Sequence, residues 1–166
     1  SGDYLEKISA EVPTVVVTRD DIRTGRLDIV TNDDLSGAEL AVSHLLQLGH
    51  TEIVHLSGGS NPVADLRRKG YENQMTAAGH ASKITVIPGG LTESAGFAAA
   101  TRALTGSVSA IFAANDVAAI GAIAAVEQSG LRVPEDISVI GYDGIRLGAM
   151  RRVNLTTISQ PLADLG

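Results

Sequence analysis

Two apolar runs, each ending in a polar residue, constrain this chain most. Ser109–Ala113 is followed by Ala114, Asn115 and Asp116, and Ile137–Gly141 by Tyr142 and Asp143. Between them lies an Ala-rich stretch from Asp116 to Ser129, with helical character and a stop at Gly130 followed by Pro134. Strand, helix and strand in that order form a βαβ unit with parallel strands. Parallel strands open their carboxyl ends on one edge of the sheet, which is where such sheets bind ligands. Asn115 and Asp143 are therefore expected on one rim, and two polar side chains brought to one rim suggest a binding site.

The rest of the chain repeats the alternation. Val12–Thr18 is rich in β-branched residues and reads as a buried strand, after the end of a helix at Tyr4–Ala10. Leu27–Thr31 reads as a second short strand. Asn32, Asp33 or Asp34 can cap a helix whose apolar positions include Leu35, Leu40, Ala41, Leu45 and Leu48, with Gly49 as its stop. Further strands are expected at Ile53–Ser57, Ile84–Ile87 and Leu155–Ser159. Helices are expected at Val63–Ala78 and, capped by Thr92, up to about Leu104. The pattern predicts a parallel, doubly wound α/β sheet.

Composition narrows the function classes. The chain has 166 residues, enough for one domain with a real core. Its net charge of −6 argues against a nucleic-acid surface, which needs clustered Lys and Arg. Arg67, Arg68 and Lys69 form the only basic triplet. With no Cys there is neither a disulfide nor a thiolate metal site. No apolar run reaches the length of about 18 residues that a membrane span needs, and the first residues do not read as a signal peptide.

The motifs of catalysis and cofactor binding do not appear. The loop Ser57–Asn61 fits neither the dinucleotide fingerprint nor the P-loop and reads as a strand-to-helix turn. His44, His50, His55 and His80 lack metal-ligand spacing. His50 and His80 directly follow Gly49 and Gly79 and suit turn or helix-end roles. No nucleophile elbow occurs. The expectation is a non-enzymatic domain with no catalytic residue, no cofactor and no metal.

Arg67 sits one turn into the helix after the Gly58 loop, near the same carboxyl edge. Alone it reads as a solvated surface Arg; beside Asn115 and Asp143 it reads as part of a site. The three offer a donor fork, a mixed amide and an acceptor carboxylate, which suits a small polyhydroxylated or carboxylated ligand. Asp116 reads as the cap of the helix it opens, and Asp143 also suits a cap on the turn Gly144–Ile145.

Several strings, in order, resemble the effector-binding region of lac-repressor-type (LacI/GalR) transcriptional regulators. They are residues 32–50 (NDDLSGAELAVSHLLQLGH), 67–71 (RRKGY), 112–121 (FAANDVAAIG), 130–143 (GLRVPEDISVIGYD) and 156–162 (TTISQPL). The resemblance covers nearly the whole chain, and residues 130–143 are its most specific part. It implies a periplasmic-binding-protein-like fold of type I, with one complete subdomain at residues 32–158. Residues 1–31 would be a remnant of the other subdomain with the crossover, and 159–166 a segment returning toward it. By position, Arg67, Asn115 and Asp143 match residues that contact effector in such regulators, and Gln160 matches another polar cleft residue. Thr18, followed by Arg19, stands where the family often has an Asp. Leu91 stands where an aromatic often stacks on the ligand, which weighs against a pyranose sugar.

The resemblance further implies a cytoplasmic repressor, working as a homodimer. A small polar effector, sugar-like, would modulate operator binding by a helix-turn-helix head that this chain lacks. The rivals are an extracytoplasmic solute-binding protein of a sugar transporter, which shares the fold, and an enzyme of Rossmann or flavodoxin-like shape. Arg67→Ala is expected to abolish the effector response while leaving operator binding in place.

Overall fold

The computed structural model describes residues 2–17 and 27–161. The chain divides into two compact units: residues 34–160, and residues 1–33 with those after 160.

The smaller unit contains helix α1 (Gly2–Glu11) and two strands, β1 (Thr14–Val17) and β2 (Leu27–Val30), paired in parallel with Thr14 opposite Leu27. The β-branched run forms the expected strand, but burial differs from expectation: Val15 is 58% and Val17 41% exposed. Composition selects the extended backbone, whereas burial depends on what packs against the strand.

In the larger unit the elements run α2 (Asp34–Gln47), β3 (Ile53–Ser57), α3 (Pro62–Ala77), a 3₁₀ turn (Ala81–Lys83), β4 (Thr85–Pro88), α4 (Glu93–Ala103), β5 (Ala110–Ala113), α5 (Asp116–Gln128), β6 (Ser138–Asp143) and β7 (Thr156–Ser159). The five strands form one parallel sheet in the order β4-β3-β5-β6-β7. From β3 the chain crosses to β4 on one side. It then returns past β3 and proceeds through β5 and β6 on the other. The order therefore reverses between β3 and β5, and the crevice at their carboxyl ends is the switch point where open α/β sheets take ligands.

Strand alternation divides the core between the two faces. Ile53, Phe112 and Ile140 pack with Tyr71 and Met75 of α3 and with Ala38, Ala41 and Leu45 of α2. Val54, Leu56, Ile111 and Val139 pack with the alanines of α4 and α5. The buried stripe of α2 is Ala38, Ala41, Val42 and Leu45, whereas Leu40 and Leu48 are exposed at 62% and 61%, contrary to expectation. The period of 3.6 places Leu40 on the far face of the helix, and Leu48 follows its last residue.

Helices α4 and α5 pack backbone to backbone. A Cβ on Gly96 would stand 2.1 Å from the Ala118 carbonyl oxygen, and one on Gly121 would stand 2.0 Å from that of Glu93. Both α2 and α3 end as the sequence suggests. Gly49 and Gly79 take positive φ, and the following His50 and His80 return their N–H groups to Leu45 and Met75.

Candidate functional site

Arg67 is not a surface side chain. It lies one turn and a half into α3, directly behind the β3 loop, and is 5% exposed. Asn61 caps that helix, its Oδ1 accepting from the Ala64 N–H at 2.9 Å, and Pro62 stands in the first turn. The guanidinium reaches across the switch point. Its Nε donates to Asp34 Oδ1 at 2.8 Å, its Nη1 to the Ala114 carbonyl at 2.6 Å, and its Nη2 pairs with Asp143 Oδ1 at 3.1 Å. The Tyr142 ring lies beneath it, 3.7 Å from Cζ to the ring centroid.

Asp34 contributes a buried carboxylate from the start of α2, 3% exposed at its side chain. The sequence places it among three candidate helix caps and carries no local signal of its pairing with Arg67. Its charge and hydrogen bond, together with burial, push the Tyr142 hydroxyl well above the usual phenol range, with burial the largest cause. Gly37 leaves room for that ring: a Cβ there would fall 2.1 Å from the Tyr142 hydroxyl oxygen.

Asp143 ends β6 with its side chain 29% exposed. Its Oδ1 also accepts from Gln160 Nε2 at 2.7 Å, and Gln160 returns its backbone N–H to the Asp143 carbonyl. Burial raises the Asp143 pKa above the ordinary carboxylate value; Arg67 opposes that rise and Asp116 adds to it. The residue holds φ at 110°, which a non-glycine side chain keeps only when its surroundings impose it.

Asp116 imposes it. This residue is fully buried, and its Oδ2 accepts from the Ile145 N–H at 2.7 Å while its Oδ1 accepts from the Thr157 hydroxyl. One expectation is thereby corrected. Asn115, not Asp116, caps α5: it has extended backbone, with φ −154° and ψ 173°, and its Oδ1 accepts from Ala118 N–H at 2.8 Å. Asp116, at the first helical position, is turned toward the β6–β7 connection. The turn N–H at Ile145 is therefore met by Asp116, and the Asp143 carboxylate faces Arg67 and Gln160 instead.

Arg67 and Asp143 meet, as the shared rim predicts, and Gln160, marked by the resemblance, contacts Asp143. Asn115 adjoins them through Ala114, but both ends of its amide are engaged, Nδ2 donating to the Leu91 carbonyl at 3.1 Å. Leu91 keeps its side chain 46% exposed. Thr18 and Arg19 lie outside the described residues. Asp34 and the Ala114 carbonyl belong to the same cluster, and neither carries a local signal of it. Among the described residues no group of His, Asp and Glu is arranged to hold a metal ion, and no helix is long and apolar enough to cross a membrane.

The histidines serve the fold. His50 bridges the starts of β5 and β6, its ring nitrogens each 3.0 Å from the Ser109 and Ser138 hydroxyls. His55 lies wholly buried between Tyr71 and Phe112.

Comparison with known proteins agrees with this geometry. Residues 42–166 match the periplasmic binding protein-like domain. The chain is 35% identical to the HTH-type transcriptional regulator DegA of Bacillus subtilis, over 100% of this chain and 50% of that protein. It is 36% identical to the HTH-type transcriptional repressor PurR of Haemophilus influenzae, over 99% and 50%, and 36% identical to the ribose operon repressor of Escherichia coli, over 86% and 44%. The chain thus spans about half the length of the curated relatives it matches. Among solved structures, a LacI transcriptional regulator from a Rhodococcus species superposes with a TM-score of 0.92 at 36% identity, over 99% of this chain and 62% of that one. A LacI-family regulator of Enterococcus faecium with bound ribose superposes with a TM-score of 0.86 at 30% identity, over 99% and 61%. The chain belongs to the periplasmic binding protein-like domain family, as part of the effector-binding region of LacI-type transcriptional regulators.

Proposed function

We propose that this chain senses a small polyhydroxylated metabolite on behalf of a transcriptional repressor. The ligand sits on the carboxyl edge of the sheet, against Asp143 and Gln160, with Arg67 behind them and Asn115 and Leu91 alongside. Thr18 and Arg19 are further ligand contacts of this proposal. Residues 32–158 act as the effector-binding subdomain, residues 1–31 are a remnant of its counterpart with the crossover, and residues 159–166 return toward that counterpart. The protein works as a homodimer in the cytoplasm, where its operator is. Ligand shifts the population between two states of different DNA affinity, which requires that it bind one state better than the other.

The observation behind this reading is the Arg67–Asp143 pair spanning the switch point, with Asp143 left partly exposed. The ribose operon repressor among the relatives, and the ribose-bound regulator among the structures, make ribose the first ligand to try. Calorimetry of the intact regulator with sugars and polyols tests the reading, together with operator binding measured with and without the sugar that binds. Asp143→Ala should weaken that sugar about 10- to 150-fold, the loss of a hydrogen bond to a charged group. An affinity within about twofold of the parent would remove Asp143 from the site.

A further inference from the structure

We infer that Asp34 and Gln160, the first and last residues of the larger unit, are joined by a relay through Arg67 and Asp143, so that a change at one end of the unit is felt at the other. The inference concerns the regulation of the site proposed above and rests on that reading for what the relay serves.

The larger unit begins at Asp34 and ends at Gln160, and at both points the chain passes to the smaller unit. Few contacts ordinarily gather at such a boundary. Here both boundary residues turn their side chains onto one ion pair. Asp34 Oδ1 accepts from Arg67 Nε at 2.8 Å, Arg67 Nη2 meets Asp143 Oδ1 at 3.1 Å, and that same oxygen accepts from Gln160 Nε2 at 2.7 Å. Gln160 adds a second tie, donating its backbone N–H to the Asp143 carbonyl.

The middle of this chain of contacts is stiff. A guanidinium is planar, and this one has the Tyr142 ring against one face and its Nη1 fixed on the Ala114 carbonyl. The side chains of Arg67 and Asp34 are 6% and 3% exposed, so water does not stand in for a lost partner. A displaced Asp143 carboxylate therefore leaves Nη2 unmatched or draws the guanidinium along, and Asp34 holds the other side of that guanidinium. A ligand that bonds to Asp143 competes with Arg67 and Gln160 at once. It thereby acts on both ends of the unit. Asp34 and Gln160 are positioning residues in this scheme, acting through the Arg67–Asp143 pair. Contiguous contacts become coupling only when the energies at the two ends depend on each other, which a mutant cycle measures.

The test is hydrogen exchange, read by mass spectrometry on the intact regulator without ligand. Gln160→Leu removes the side-chain donor at one end. Exchange at residues 38–42, in the first turns of α2, should then rise at least about threefold. The same substitution made in an Asp34→Asn or an Asp143→Ala background should add nothing there, because the relay is already cut. Ile158 of β7 packs against the α2 cluster, so an effect passing through that packing would persist in both backgrounds. Persistence overturns the inference. So does a change confined to β6 and β7, and so does an equal rise at Ile53–Leu56 of β3, which would report a general loss of stability. None of these readings uses a ligand. A failed relay is therefore distinguishable from a failure of the sensing role, which the calorimetry above decides.

Discussion

The guanidinium of Arg67 lies over the ring of Tyr142, 3.7 Å from its centroid, and is gripped at its edges by two carboxylates from distant parts of the chain. This arrangement makes Arg67 a structural member of the subdomain before any ligand binds. Arg67→Ala is therefore not the silent lesion expected from a surface donor. Removing the cation leaves Asp34 buried without its partner, at a cost of about 3–5 kcal/mol. Urea denaturation of Arg67→Met should show such a loss, and adding Asp34→Asn should recover much of it. A double variant no more stable than Arg67→Met would mean that the Arg67–Asp34 pair is not the source.

His55 should give the protein an acid-sensitive stability. Its Nδ1 lies 3.0 Å from the Phe112 carbonyl, which can only accept, so Nδ1 carries the proton and Nε2 is left buried without a partner. Burial, the largest cause, lowers its pKa from 6.5 to about 4; Arg68 and Arg67 add to the lowering and the Phe112 hydrogen bond opposes it. Between those two values acid protonates the unfolded chain but not the folded one. The contribution to stability is therefore complete above about pH 6.5 and drains away as the pH falls toward 4, by about 3 kcal/mol in all. His55→Asn keeps a donor for Phe112 but does not titrate. Its unfolding free energy should depend less steeply on pH over that window. Equal slopes for variant and parent would refute the assignment.

Asp116 and Thr157 should be energetically coupled through the turn they hold. The Thr157 hydroxyl and the Ile145 N–H both reach one buried carboxylate, and the turn sets the direction of Asp143. A cycle of Asp116→Ala, Thr157→Val and the double variant should give a coupling of about 0.5–3 kcal/mol. The Asp116→Ala protein should also bind the proposed ligand more weakly, because the positive φ of Asp143 loses its restraint. Strict additivity would show that the two contacts are independent.

The contact between α4 and α5 should not tolerate a methyl group. Gly121→Ala places a Cβ against the Glu93 backbone, which can yield only if the helices separate. Strain of this kind costs about 1–3 kcal/mol or more. Gly130→Ala has open space but a positive φ of 78°, so its cost is conformational and about 1 kcal/mol. Thermal unfolding should rank Gly121→Ala as the more damaging of the two.

Much of this fold was legible along the chain because its signals are local. A β-branched or apolar run, a Gly stop and an Asx or Thr cap each act within a few residues, and β3, β5, α3 and α5 fall close to where they were expected. The rim position of Arg67, Asn115 and Asp143 follows from the same information, since a strand–helix–strand order already implies which edge the loops share. Burial was less legible. Val15 and Val17 have strand composition yet are exposed, and so are Leu40, on the far face of α2, and Leu48, just past its end.

What the amino-acid sequence by itself determined, then, was the order of elements, the edge and the residue types on it. Tertiary structure decided which partner each charge took. An aspartate near a helix start looks the same locally whether it caps the helix or crosses to another element. Asp34 meets Arg67 across a separation of 33 residues, and Asp116 meets Ile145 and Thr157 across 29 and 41. Those meetings depend on strand order and on the faces to which the helices pack. Pairing of buried charges is a property of the folded interior, where desolvation makes an unmatched carboxylate costly and the nearest donor in space prevails over the nearest in sequence.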